Sequence, residues 1–258
     1  MTSPQIGSGK SIFDETSPSP SASADASVSP SASPSSGAAA SEEPINNLNP
    51  GASETQVDDY VEKLPNDNDP KGSSFGFIFG RQKKVTKNAI TITWKKPSKV
   101  DHFVIYGAKC GKKNRYQKIT TVKGKSYTQK NLPKGTYHKY LVSAFDSSGT
   151  LLGVSNTIHI VTKGGKYCNF KKITTGVKKN KITLAKKGKS AKIKGKAYKE
   201  NKKLKASVHR PVRYESSNKK VATVNNKGKV VAKKKGKCKI YVFAQNGAYK
   251  TVKVTVKK

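Results

Sequence analysis

The chain has 258 residues, with 52 Lys+Arg against 15 Asp+Glu and a formal net charge of +37, a balance that draws acidic polymers and anionic surfaces. The charge is unevenly placed: residues 1–80 hold three lysines and eleven carboxylates, a net −8, whereas 81–258 carry +45, with Asp101, Asp146, Glu200 and Glu215 as their only acids. Four scattered carboxylates exclude, for that region, the acidic clusters of calcium sites, two-metal sites and glycosidases.

At the N-terminus, "GSGKS" (Gly7 to Ser11) has the look of a phosphate-binding loop, but the position that needs the first glycine is Pro4 and no buried strand precedes it. The opening residues contain no basic segment followed by an apolar core, so no signal peptide is visible, and no stretch approaches a membrane span. Ser17 to Ser41 is almost wholly Ser, Ala and Pro, and Glu42 to Ser73 stays acidic and rich in Asn, Pro and Gly. Such a composition buries too little apolar surface to offset the entropy of ordering, so residues 1–75 are expected to be a disordered stalk.

Beyond Phe75 the pattern becomes period-2. "AITITW" sets Ile90, Ile92 and Trp94 on one face, "HFVIYG" and "YHKYLVSAF" follow, and "NTIHIVT" places Ile158 and Ile160 inward with His159 outward. After a Gly-Lys hinge, Lys163 to Asn169, alternation resumes: Cys238, Ile240, Val242 and Ala244 share one face, and Val252, Val254 and Val256 share another. No long 3.6-period segment occurs, so the expected fold class is all-β, as two tandem β-sandwiches after the disordered tail, which the resemblances that follow imply to be Ig-like.

Residues 82–163 resemble a fibronectin type III module. The resemblance rests on Trp94, on "FVIYGAKCGKKNRYQKI" and on "LPKGTYHKYLVSAF", where Leu132, Val142 and Ala144 match while the corner tyrosine position holds His138, with Tyr137 one place earlier. Residues 171–258 are similar to bacterial Ig-like domains of group 2, through "KITLAKKGKSAKIK", Ser216 to Asn218, Val221 to Val224, Gly228, Val230, Ala232, Gly236, Ile240, Asn246, Gly247 and Val254 to Val256. Gly228 and Gly236 suit turns, and Ser216 to Asn218 suit side chain to backbone bonds at a strand end. The tandem order resembles that of Gram-positive surface and secreted proteins, which implies an extracellular or cell-surface setting.

An enzyme is not expected. His102, His138, His159 and His209 have no carboxylate neighbours in a recognisable constellation, and Cys110, Cys168 and Cys238 belong to no CxxC pair. Catalytic, cofactor-binding and metal sites are each expected to be absent, and the pairing of the cysteines is left open. The resemblance implies adhesion, glycan or matrix contact, or the spacing of a catalytic domain by a monomeric accessory module. An alternative reading is electrostatic binding of teichoic acid, nucleic acid or an anionic glycan; another is a C-terminal accessory fragment of a larger extracellular enzyme. Because the bases are nearly all lysine, with Arg81, Arg115, Arg210 and Arg213 the only arginines, a solvated outer face is favoured over specific readout. A specific groove would need aromatics interleaved with the lysines.

Overall fold

The computed structural model describes residues 42–64, 74–111, 113–210 and 212–258. The "GSGKS" motif and the Ser/Pro/Ala-rich run lie outside the described residues.

The first sandwich is built from β1 (Arg81–Val85), β2 (Ile90–Thr93), β3 (His102–Lys109), β4 (Gln117–Val122), β5 (Ser126–Gln129), β6 (Tyr137–Phe145), β7 (Leu151–Val154) and β8 (Ile158–Val161). One sheet runs β1-β2-β5; the other runs β4-β3-β6, with β7 pairing the C-terminal half of β6 and β8 its N-terminal half. Between them Ile90, Ile92, Trp94, Ile158 and Ile160, inward in the alternation, form the core together with Phe103, Ile105, Tyr140 and Val142. In the second sandwich the strands are β9 (Phe170–Thr174), β10 (Lys181–Leu184), β11 (Ser190–Lys192), β12 (Lys196–Lys199), β13 (Arg213–Ser216), β14 (Ala222–Val224), β15 (Lys229–Ala232), β16 (Gly236–Phe243) and β17 (Tyr249–Val256). Sheet β10-β17-β16-β13 faces β11-β15-β14, and β9 pairs with β12. Ile240, Val242, Ala244, Val252, Val254 and Val256 point into the core, together with Cys238. None of the three cysteines is in a disulfide.

All nine residues of β6 are buried, which a sheet with one solvated face does not allow. Two coverings account for it. Toward its C-terminal end, the outer face of β3 and β6 is covered by a helix, α1 (Glu54–Glu62). Val57 and Val61 of this helix are fully buried among Val104, Tyr106, Leu141 and Phe145, worth about 1.5–3 kcal/mol each in removed apolar surface. Ser53 and Gln56 close a capping box at the helix start. The expected stalk therefore does not extend unbroken to residue 75: residues 42–64 are folded onto the first sandwich. The acidic composition read as a mark of disorder supplies the contacts, since Glu54, Asp58 and Glu62 lie one helical turn apart on the side facing the basic sheet.

The second covering comes from the other sandwich. Toward the N-terminal end of β6, residues 205–210 and the β16–β17 turn pack against the same face. His159, expected to point to solvent, is buried there, and its backbone N–H donates to the Gln245 carbonyl at 2.8 Å. Tyr137 uses its phenol oxygen to accept the Ser207 N–H at 3.2 Å, so the tyrosine displaced from the corner position binds the neighbouring sandwich. Arg213 donates twice to Thr157, to its side chain and its carbonyl, each at 2.7 Å. Asn246 donates to the Gln82 side chain and the Phe170 carbonyl, and accepts the Gln82 N–H on its own carbonyl. The segment read as a hinge is pinned too, because the Asn169 amide bonds both backbone groups of Val161, at 2.9 and 2.8 Å.

Candidate functional site: a lysine-rimmed cleft at the junction

A cleft of about 900 Å³ opens where the outer face of sheet β10-β17-β16 meets residues 77–79 of the first sandwich. Its geometry follows from strand register. Lys181 lies opposite Lys253 across the parallel β10–β17 pair, and Lys253 lies opposite Lys239 across the antiparallel β17–β16 pair. Three lysines thus form one row across three adjacent strands, on the face opposite the valine core. The next row is Thr183, Thr255 and Lys237. Directly opposed like charges destabilise a sheet, so this row costs stability at low salt.

Toward the junction the same face turns aromatic. Tyr241 and Phe243 of β16 and Tyr249 of β17 cluster with Phe79, the Phe79 and Tyr241 rings being 4.7 Å apart and those of Phe79 and Tyr249 stacked at 5.3 Å. Lys95 holds its ammonium 5.0 Å from the Phe79 ring centre, a cation–π contact. Phe77 is 53% exposed at the mouth. The lining therefore combines five lysines, Lys95, Lys181, Lys237, Lys239 and Lys253, with Phe77, Phe79 and Tyr241, and among the described residues it includes no carboxylate. A second cleft across the junction, lined in part by Arg81, Lys171 and Lys250, includes Glu200, which bonds Gln82 at 2.7 Å; its mixed charge suits an anion less well.

The lysines of this row lie on the outer face, as the period-2 reading expected, but the aromatic partners of a groove were missed. Phe79 comes from a segment before the first strand, and Tyr241 and Phe243 look from sequence like ordinary strand residues. The alternation of Lys237, Lys239, Tyr241 and Phe243 on the side opposite Cys238, Ile240 and Val242 was the available signal.

The histidines fall in three environments. His102 does have carboxylate partners, contrary to expectation: Nε2 lies 2.9 Å from Glu54 and Nδ1 3.1 Å from Asp101. The expectation failed because Glu54 was assigned to a disordered tail and Asp101, the residue before His102, was not read as its partner. Both ring nitrogens are taken up by carboxylates, which suits helix docking and leaves neither for proton transfer to a substrate. Lys118 completes this clamp with bonds to Glu54 at 2.8 Å and Asp58 at 2.6 Å, and the Tyr106 phenol also donates to Asp58. Burial raises the Glu54 carboxyl pKa, but the bonds to Lys118 and His102 outweigh it and hold the group below its ordinary value. His138 is buried in the first sandwich, where desolvation, helped by Lys109, pulls its pKa down to about 4. His159 and His209 come together with Cys110 at the junction.

Among the described residues no helix is long and apolar enough to cross a membrane. No curated protein matches the chain. Solved structures similar to it include a fibronectin type III domain of human fibronectin type III domain containing protein 3 (19% identity, covering 37% of this chain and 94% of that one, TM-score 0.30). The FN5 domain of Drosophila Lar (24%, 33% and 92%, TM-score 0.28) and the fourth FNIII domain of a human protein (17%, 51% and 93%, TM-score 0.30) are similar as well. The family model of the bacterial Ig-like domain (group 2) matches residues 174–256, so the second sandwich is similar to that family over nearly all of its length.

Proposed function

We propose that this chain is a non-catalytic module of a cell-surface or secreted protein, and that it contacts an anionic glycan or related wall polymer through the junction cleft. The observation that carries the reading is the cross-strand row Lys181–Lys253–Lys239, continuous with Phe77, Phe79 and Tyr241, with no carboxylate among the described residues of the lining. A row of ammonium groups at strand spacing meets the repeated charges of a polymer, while the exposed Phe77 ring, backed by the buried Phe79 and Tyr241, takes up an apolar or planar part of the same ligand. Lysine in place of arginine favours diffuse attraction over bidentate readout, so affinity exceeds selectivity among anionic polymers. Domains of both kinds are generally non-catalytic, in keeping with this role.

The test is retention of the full chain on immobilised heparin, with stepwise salt elution. Binding that falls steeply with salt, and that weakens for Lys239→Gln and Lys253→Gln more than for lysines of the β11-β15-β14 sheet, supports the reading. Absence of retention near physiological salt, or equal effects of all lysines, refutes it. Fractionation of native cells tests the setting, and a protein confined to the soluble cytosol would contradict it.

A further inference from the structure

We propose that Cys110, His159 and His209 form a binding site for a single Zn²⁺ ion that clips the two sandwiches together. Cys110 follows β3 and His159 lies on β8, both in the first sandwich, whereas His209 belongs to the segment before β13 in the second. One potential ligand atom from each residue lies within 4.8 Å of the other two. The Cys110 Sγ to His159 Nδ1 separation is 3.4 Å. Zn–S bonds of about 2.3 Å and Zn–N bonds of about 2.0–2.1 Å at tetrahedral angles require an S···N edge of about 3.6 Å. This pair therefore stands near ligand spacing, and the His209 ligand atom, within 4.8 Å of both, completes the triangle.

The surroundings favour that closure. The His209 ring lies nearly parallel to that of His159, at 24° and 5.9 Å, and packs 4.2 Å from Tyr137. Its backbone N–H is anchored to the Gln245 side chain at 2.9 Å. His159 is buried while Cys110 and His209 are partly exposed, so an ion has an approach from solvent. One thiolate and two imidazoles suit zinc in both charge and softness, leaving the fourth tetrahedral position to water. Binding removes the thiol proton of Cys110, so one proton is released per ion bound. With ligands drawn from both modules, the ion stabilises their docking by mass action. Intervals of 49 and 50 residues between the ligands resemble no local metal motif, which is why the sequence carried no sign of the site.

The experiment is titration of the reduced full chain with Zn²⁺ alone by isothermal calorimetry, and with Co²⁺ by absorption. The expected result is one ion per chain, a thiolate-to-cobalt charge-transfer band and a higher Tm with Zn²⁺. Cys110→Ser and His209→Gln should each weaken binding by more than about 100-fold, one of three ligands being lost, and Cys110→Ser should abolish the band. His209→Gln sits on a partly exposed segment, so a folded variant remains available if Cys110→Ser does not fold. No saturable binding at one ion per chain, or binding unchanged in a folded variant of either residue, overturns the proposal. Heparin retention is a separate readout, so failure here leaves the cleft untouched.

Discussion

Replacing Lys253 with Gln separates a lysine row kept for binding from one that merely solvates a sheet. Lys253 is the middle member, opposed by Lys181 on one side and Lys239 on the other. With ammonium groups splayed to about 8 Å, each repulsion in water is about 0.5 kcal/mol before screening. At 0.01 M salt, where the Debye length is about 30 Å, about 0.4 kcal/mol per pair survives; at 1 M, where it is about 3 Å, less than about 0.1 kcal/mol does. Lys253→Gln should therefore stabilise the protein by about 0.8 kcal/mol at low salt, a Tm rise of about 2–3 °C for a cooperative unit of this size, and by almost nothing at 1 M. The same substitution should lower the slope of log affinity against log salt for heparin by about one. Lys250→Gln on the same strand, which faces Val242 across the pair and not a lysine, is the control and should give neither effect. Calorimetric scans at three salt concentrations provide the first readout. A loss of stability in Lys253→Gln, or a gain independent of salt, would refute the electrostatic account of the row.

Gly247→Ala should uncouple the modules. Gly247 has a φ of +79°, and an added Cβ would meet the Gly80 carbonyl oxygen at 2.1 Å and Arg81 Cα at 2.6 Å. A cost above about 2 kcal/mol is expected, seen as faster proteolysis at residues 163–169 with both sandwich cores intact; wild-type resistance would contradict the docking described. The helix clamp predicts a pH window. The Glu54 contribution is fully present above its ordinary value of 4.5 and is lost as pH falls below it. Burial lowers the Lys118 pKa, but Asp58 and Glu54 outweigh it and raise the group, so its contribution is full below 10.5 and lost above. Hydrogen exchange should find residues 54–62 protected at neutral pH and released toward pH 3 before the sandwiches open, and release centred on neutrality would contradict the clamp. His138 acts oppositely to a paired histidine: its lowered pKa makes the unfolded chain the better proton acceptor, so stability should decline from pH 6.5 to about 4. His138→Gln should remove that part of the acid sensitivity, as measured by urea midpoints against pH.

The two sandwich cores were legible because each strand buries one face, and period-2 spacing of Ile, Val and Trp reports that burial directly. What escaped the reading lies where a second body covers the other face. His159 alternates like a solvent-facing residue, and only the docking of Gln245 over it makes it interior. Lys139 is buried by its own sandwich's β3–β4 connection, with its ammonium bonded to the Asn114 carbonyl at 2.6 Å and 4.6 Å from the Tyr116 ring. The helix could have been found: "SETQVDDYVEKL" contains the capping pair Ser53 and Gln56 and apolar residues at 57, 60, 61 and 64. Its acidic, proline-rich setting outweighed that local signal. Asn246 and Gly247, matched to the family pattern, proved also to be the point of inter-module contact. The cleft was half legible, since the lysine row follows from strand register, but Phe79 reaches it only through tertiary structure.

The most direct test of the cleft is a two-dimensional NMR titration of the full chain with a defined anionic oligosaccharide at moderate salt. Shift changes concentrated at Lys239, Tyr241, Lys253 and the segment 77–79, saturating together, are the predicted result. Equal small shifts spread over the lysines of every exposed strand, without saturation at the junction, would show that the charge serves only solubility and contradict the account.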